Sequence, residues 1–371
     1  MRAAIFGAGN IGRGLVGQVL ADSGYQLTFI DADAAIVQML QDDPTYGIQS
    51  SASYRDISMD GVFNAADEDA VVAAVAAADV IATAVGPAVL RIVAPAIGRG
   101  LELSQLDNVN VLACENIHPN STALRSHIVD ACGEAAVSGV GFPNVVVDRI
   151  APGAPGSRTV EVEAGFEFVV DIAAWVGPTP EGPVVFTPNL DAYKLRKLWL
   201  VNGLHVVAAW LGLQQGHEHI HEAMGDDRIR DTVQAIGSTV SEVLVTRSSE
   251  FAADELRSYC ARSLDRFSDG LLPDQTRRVA RNPLDKLVAG ERVMAPARGA
   301  DQLGIDTEGF ADAVAAALTL RAPDIDGIDR LRAAIDDQGW EKLVVEHCGV
   351  QEGGSLYKQI ETRMSEQVPQ G

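Results

Sequence analysis

The sequence predicts an α/β protein: a doubly wound parallel sheet followed by a mainly α-helical second domain. Three observations predict it. Short apolar runs alternate with helix-period segments from Ala3 to Asn116, and a glycine-rich turn joins the first run to the first helix. Beyond Asp191 strand patterns largely disappear and long helical stretches take over. At 371 residues the chain also exceeds what one core organises, which favours two domains.

The elements follow in order. Ala3 to Gly7 is a short buried-strand pattern ending in glycine, and Gly12 to Ser23 repeats Leu15, Val16, Val19 and Leu20 at helical spacing. Gln26 to Asp31 is a second strand closing on a carboxylate. Strand, helix and strand at this spacing form a βαβ unit with parallel strands. An alanine-rich helix, Glu68 to Ala77, leads into the strand Asp79 to Val85, which Gly86-Pro87 closes. A further helix precedes the strand Asn110 to Asn116. Val160 to Phe166 alternates as a half-exposed strand does. The prolines of the segment 178–188 mark an extended connection, which divides the chain into residues 1–188 and 189–371. Leu195 to Leu213 and Phe310 to Leu320 are the clearest helices of the second part.

Composition excludes several classes. A hydrophobic fraction of 47% supplies two cores, yet no run approaches the roughly 18 consecutive apolar residues that span a bilayer. The amino terminus shows no export signal, so a cytoplasmic location is expected. Cys114, Cys132, Cys260 and Cys348 form no C-x-x-C pair, which argues against a disulfide framework or a thiolate zinc site. His217, His219 and His221 sit two apart, so on a helix they diverge and do not converge on a metal. A net charge of −22 repels phosphate backbones and anionic lipids, leaving neither nucleic acid nor membrane as an expected partner.

Gly7-Ala8-Gly9-Asn10-Ile11-Gly12 fits G-x-G-x-x-G. Alone this pattern is weak. Here it follows a strand, opens a helix, and is followed 19 residues after Gly12 by Asp31 at the end of the next strand. That context defines a Rossmann-type dinucleotide fingerprint. Gly7 permits the tight turn, Gly9 lets backbone approach the pyrophosphate, and Gly12 allows close helix–strand packing, with Asn10 and Ile11 completing the loop. Asp31 suits ribose hydroxyls and repels a 2′-phosphate, which favours NAD over NADP. Arg13 lies either near the pyrophosphate or in a surface pair. Ligands of such sheets bind beyond the carboxyl ends of the strands. Val85, Glu115 and Asn116 stand at those ends, as does the pair Asp148-Arg149, either a structural ion pair or a site element.

In the second part, Tyr193 to His205 is apolar and helical in period but carries Lys197, Asn202 and His205. On a regular helix these three fall within an arc of about 140°. They mark either a polar pocket, or a snorkelling lysine and a satisfied core histidine.

Five motifs together carry a more specific likeness. FGAGNIGRG, the ENxxxN stretch (Glu115, Asn116, Asn120), FPNVVVDRIAP, K-x-x-x-x-N-x-x-H (Lys197, Asn202, His205) and RNPLDKLVAGERVMAPA from Arg281 occur in the order found in polyol-specific long-chain dehydrogenases. The chain resembles that family over nearly its whole length. The resemblance implies a metal-free, NAD-dependent monomer that uses a lysine as acid/base and asparagines as oxyanion stabilisers. Lys197 then takes the hydroxyl proton, with its pKa brought down from about 10.4 by burial. Asn116 and Asn202 donate to the developing alkoxide, and His205 orients the lysine or binds a hydroxyl. Asp148 holds another hydroxyl or tunes the lysine.

Between Arg277 and Arg298 six basic residues face two acidic ones, Asp285 and Glu291. This island could anchor a substrate phosphate through Arg281, Lys286 and Arg292, with Arg149 a further substrate candidate. Asp285 stands where the family pattern leads one to expect a basic residue. The island favours a phosphorylated substrate, and the family resemblance then implies interconversion of D-mannitol 1-phosphate and D-fructose 6-phosphate with NAD(H). Alternatives are another polyol or a hexuronate, a hydroxy acid handled by a different two-domain dehydrogenase, and an NAD-binding sensor without turnover.

Overall fold

The computed structural model describes residues 1–152, 156–270 and 274–367. The chain forms two compact units, Met1–Tyr193 and Lys194–Gly371, so the division falls five residues beyond the expected 188. The displacement has a packing cause. Leu190 and Tyr193, at the start of the Leu190–Lys197 helix, pack with Val146 and Val169 of the first unit.

Five parallel strands make the main sheet: β1 (Arg2–Phe6), β2 (Gln26–Asp31), β5 (Gly61–Asn64), β6 (Val80–Thr83) and β7 (Asn110–Ala113), in the order β5-β2-β1-β6-β7. The strand order reverses at β1, and the glycine loop follows that strand. Alternate residues of β1 serve opposite faces. Ala3 and Ile5 join Leu15, Val16 and Val19 in one core; Ala4 and Phe6 join Val75, Ile97 and Ile128 in the other. Both faces of the sheet are therefore covered, as parallel strands require.

Two smaller sheets complete this unit. β3 (Thr45–Gln49) pairs antiparallel with β4 (Tyr54–Ser58) and parallel with β9 (Thr159–Glu161). β10 (Glu167–Asp171) lies between β8 (Val145–Asp148) and β11 (Val185–Thr187). The single strand expected over Val160 to Phe166 is therefore only begun: β9 ends at Glu161, residues 162–166 form no strand, and β10 starts afresh at Glu167 in the other sheet. Glu163 breaks it, because its carboxylate accepts from the Ile150 N–H and its carbonyl from Arg149.

Among its described residues the second unit is helical. Its centre is the Leu204–Gln215 helix, in which Leu204 and the whole run Val206 to Trp210 are buried. A helix apolar on all sides belongs inside a bundle. It packs against the helices Ile220–Gly225, Asp227–Arg247, Thr276–Ala280 and Glu308–Thr319. No helix among the described residues is long and apolar enough to cross a membrane.

Candidate active site

The glycine loop accounts for its own glycines in two different ways. Gly7 has φ +97°, and a Cβ there would sit 2.5 Å from the Ala84 carbonyl oxygen. A Cβ on Gly12 would lie 1.8 Å from the Gly7 carbonyl oxygen. Packing within the protein therefore demands both. Gly9 is different: a Cβ there meets nothing within 4 Å. Its smallness serves no neighbour in the protein and fits the close approach of a dinucleotide pyrophosphate.

Asp31 faces this loop. One carboxylate oxygen accepts from the Ala8 N–H at 2.6 Å and the other from the Asp33 N–H at 2.9 Å. Each oxygen keeps a lone pair for a ribose hydroxyl. Asn10 donates to the Ala151 carbonyl at 3.2 Å, and Ile11 packs on the core beneath the loop. Arg13 is not in a surface pair but lies against the glycine loop. It is fully buried, with Nε bonded to the Ala8 carbonyl at 2.6 Å and another nitrogen to those of Ser157 and Arg158. Tyr46 closes the arrangement by donating to the Arg13 carbonyl at 2.9 Å.

At the strand ends several residues turn inward. Glu115 is buried; its oxygens accept from the Thr83 hydroxyl at 2.8 Å and the Val85 N–H at 3.0 Å. Burial pushes its pKa up, and these hydrogen bonds only partly offset the rise. Glu115 thus shapes the Val85 turn instead of presenting its carboxylate outward. Asn120 is equally structural, bridging to the backbone of Val145 through both ends of its amide. Asn116, by contrast, is exposed on the loop after β7, and Asp148 ends β8 opposite Glu167.

Arg149 requires a correction. Expected at the substrate, it is 8% exposed and donates to the Gly14 carbonyl, the Gln18 side chain at 2.6 Å and the Glu163 carbonyl. A guanidinium with those acceptors joins three parts of the first unit. Arg149→Met should destabilise the protein by about 2–3 kcal/mol, because buried carbonyls lose a charged donor. Urea unfolding measures this, and KM for substrate in the surviving enzyme should be unchanged.

The second unit assembles the polar face read from the sequence, by an unexpected route. Between Lys197 and His205 the helix widens into a π-helix, Leu198–Gly203. Bonding from i to i+5 stacks residues five apart, so Lys197 and Asn202 come onto one face more closely than a regular helix allows. His205 follows Asn202 by three residues on the resumed α-helix and shares that face. All three are half-buried, whereas Trp199, Leu200, Val201, Gly203 and Leu204 are buried. Gly203 permits this turn to meet the basic segment: a Cβ there would lie 2.6 Å from the Arg292 carbonyl oxygen.

With this geometry in view, the comparisons are specific. Residues 1–181 match the model of the mannitol dehydrogenase Rossmann domain, and residues 189–364 match the mannitol dehydrogenase C-terminal domain. The chain belongs to the mannitol dehydrogenase family. It is 37% identical over 372 residues to a mannitol-1-phosphate 5-dehydrogenase of Brevibacillus brevis, covering 96% of this chain and 95% of that one. Two solved structures share the fold. A D-sorbitol dehydrogenase in substrate-free form matches with a TM-score of 0.80, 15% identity and coverage of 98% of this chain and 92% of that one. The Pseudomonas fluorescens mannitol 2-dehydrogenase, solved with NAD and D-mannitol, gives a TM-score of 0.68 at 17% identity, covering 99% and 91%.

The family's basic block folds as a tight turn. Asn282 adopts φ +51° and opens the short helix Pro283–Lys286, a conformation that asparagine tolerates better than most residues. Lys286 points inward and donates to the carbonyls of Val279 and Arg281, both at 2.6 Å. Burial, then the charges of Arg292, Arg281 and Arg278, push its pKa down to about 8. Arg281 is exposed and Arg292 pairs with Glu291 at 3.1 Å. Asp285, the departure from the expected pattern, is answered by Arg330 at 2.9 Å.

The depressed Lys286 pKa has a definite consequence. Between about 8 and its unfolded value the unfolded chain holds more protons, so stability rises with pH there. Lys286→Met should lack that rise, so the wild-type-minus-variant difference in stability should grow from about pH 8 to pH 10, measured by urea titration from pH 7 to 10.

Two features were invisible in the sequence. Asp274 lies 2.8 Å from His205, and the HEHIH turn supports the segment carrying Asp274. His219 and Glu222 cap the Ile220–Gly225 helix reciprocally, while His217 faces Asp226. No local signal in LLPDQTRR marked Asp274 as a partner of a histidine 69 residues earlier.

Proposed function

We propose that this protein is an NAD-dependent polyol dehydrogenase that interconverts D-mannitol 1-phosphate and D-fructose 6-phosphate. The shared face of Lys197, Asn202 and His205 supports the reading: a lysine, an amide donor and an imidazole lie on one side of a helical turn whose other residues are mostly buried and apolar. NAD bound at the glycine loop supplies the hydride acceptor. Oxidation of a secondary alcohol needs its hydroxyl proton removed as hydride leaves carbon. Lys197 Nζ takes that proton and returns it in the reverse direction. Asn202 donates to the oxygen as negative charge develops, and the family resemblance makes Asn116 a further candidate donor. Asp31 selects NAD by meeting the ribose hydroxyls.

A phosphorylated substrate is favoured by the cations around Lys286 in a chain of net charge −22. The family relationship to the Brevibacillus mannitol-1-phosphate 5-dehydrogenase supports the same choice. The test is a panel of polyols and ketoses followed at the NADH absorbance band. D-fructose 6-phosphate and D-mannitol 1-phosphate should exceed their unphosphorylated counterparts by about a hundredfold or more in kcat/KM, about 2.7 kcal/mol of differential binding. Equal turnover of mannitol and its phosphate would end the phosphate assignment; no NADH oxidation with any ketose would end the enzymatic one.

A further inference from the structure

The proposed reaction leaves the partner of His205 without a task. His205 Nε2 lies 2.8 Å from Asp274 Oδ2, and the imidazole stacks on Phe267 with ring centroids 4.8 Å apart and planes 11° from parallel. Burial raises the Asp274 pKa, but hydrogen bonding and charge from His205 and then Arg278 outweigh it and bring the pKa below its usual value. The carboxylate is therefore ionised at neutral pH.

Its position is also fixed. The Asp274 carbonyl accepts from the Ile220 N–H at 2.9 Å, Gln275 bridges to His219, and the Thr276 hydroxyl bonds the carbonyls of His217 and Glu218 at 2.9 and 3.0 Å. An ionised carboxylate can only accept, so the ring nitrogen facing it carries the hydrogen. In the neutral imidazole Nδ1 is then an acceptor.

We propose that Asp274 is a positioning residue for the reaction: it holds His205 in the Nε2–H tautomer, flat on Phe267, so that Nδ1 accepts a hydrogen bond from a substrate hydroxyl. This inference rests on the reading of Lys197, Asn202 and His205 as the reactive face. A carboxylate that fixes the tautomer of a working histidine acts on the reaction through that ring without touching substrate.

The experiment is a mutant cycle with a spectroscopic readout. Asp274→Asn should lower kcat by about tenfold or more while KM for NADH stays within about twofold, and Asp274→Glu should recover most of the loss. In a His205→Ala background, Asp274→Asn should add less than about a twofold change, since the group it orients is gone. Nitrogen-15 spectra of histidine-labelled protein should show His205 protonated at Nε2 alone in wild type and as mixed tautomers in Asp274→Asn. If His205→Ala is inactive but Asp274→Asn is fully active, the positioning role falls and the reactive face stands. If His205→Ala itself turns over normally, the reading of that face falls as well. An unchanged tautomer with additive losses makes Asp274 a structural residue and overturns the proposal.

Discussion

Lys197→Ala should lose about 10²–10⁴-fold in kcat near neutral pH, the range that a positioned general acid–base group contributes. Binding of NADH, followed by its fluorescence, should be unaffected, since the glycine loop and Asp31 belong to the other compact unit. The reason for so large an effect is chemical. A polyol hydroxyl is a very weak acid, and loss of hydride from its carbon is unfavourable until the oxygen can shed its proton. Water in place of Nζ is a poorer acceptor and is not held against the oxygen. A small primary amine added to the alanine variant should recover part of the rate. Retention of most wild-type activity by Lys197→Ala would remove the proposed mechanism.

The second large effect separates two glycines that look alike in the sequence. Gly12→Ala places a Cβ 1.8 Å from the Gly7 carbonyl oxygen, so the loop or the helix must move. We expect poor folding, or a melting temperature lowered by several degrees, together with loss of NADH binding. Gly9→Val meets no protein atom within 4 Å of its Cβ, so the melting temperature should hold within about 2 °C. Its NADH affinity should nevertheless fall at least tenfold, about 1.4 kcal/mol, because the side chain occupies the approach of the pyrophosphate. Calorimetry and NADH titration read the two effects separately. A Gly9→Val protein that binds NADH normally would remove the dinucleotide assignment of this loop.

Much of this architecture was legible because the signals are local. A strand, a glycine turn and an amphipathic helix each require particular residues within a few positions, and Ala3 to Asp31 supply them. The polar face of Lys197, Asn202 and His205 was legible for the same reason, although the π-turn that tightens it was not. The hairpin of β3 and β4 was missed, since Gly47 and the polar residues from Gln49 to Ser53 dilute its alternation. Arg149 was misjudged because a charged residue among apolar ones looks the same whether it serves a ligand or the fold. Its acceptor on Gly14 is 135 residues away.

From composition, periodicity and motif order come the two-part architecture, the dinucleotide loop and the lysine-bearing helix, because each is written in short-range pattern. Folding settles which polar groups are satisfied internally. It commits Arg13, Glu115 and Arg149 to bracing the first unit, leaves open space where a Cβ on Gly9 would lie, and brings Asp274 to His205. The physical reason is that a buried polar atom must find a partner, and in a folded chain that partner comes from residues no local pattern can name.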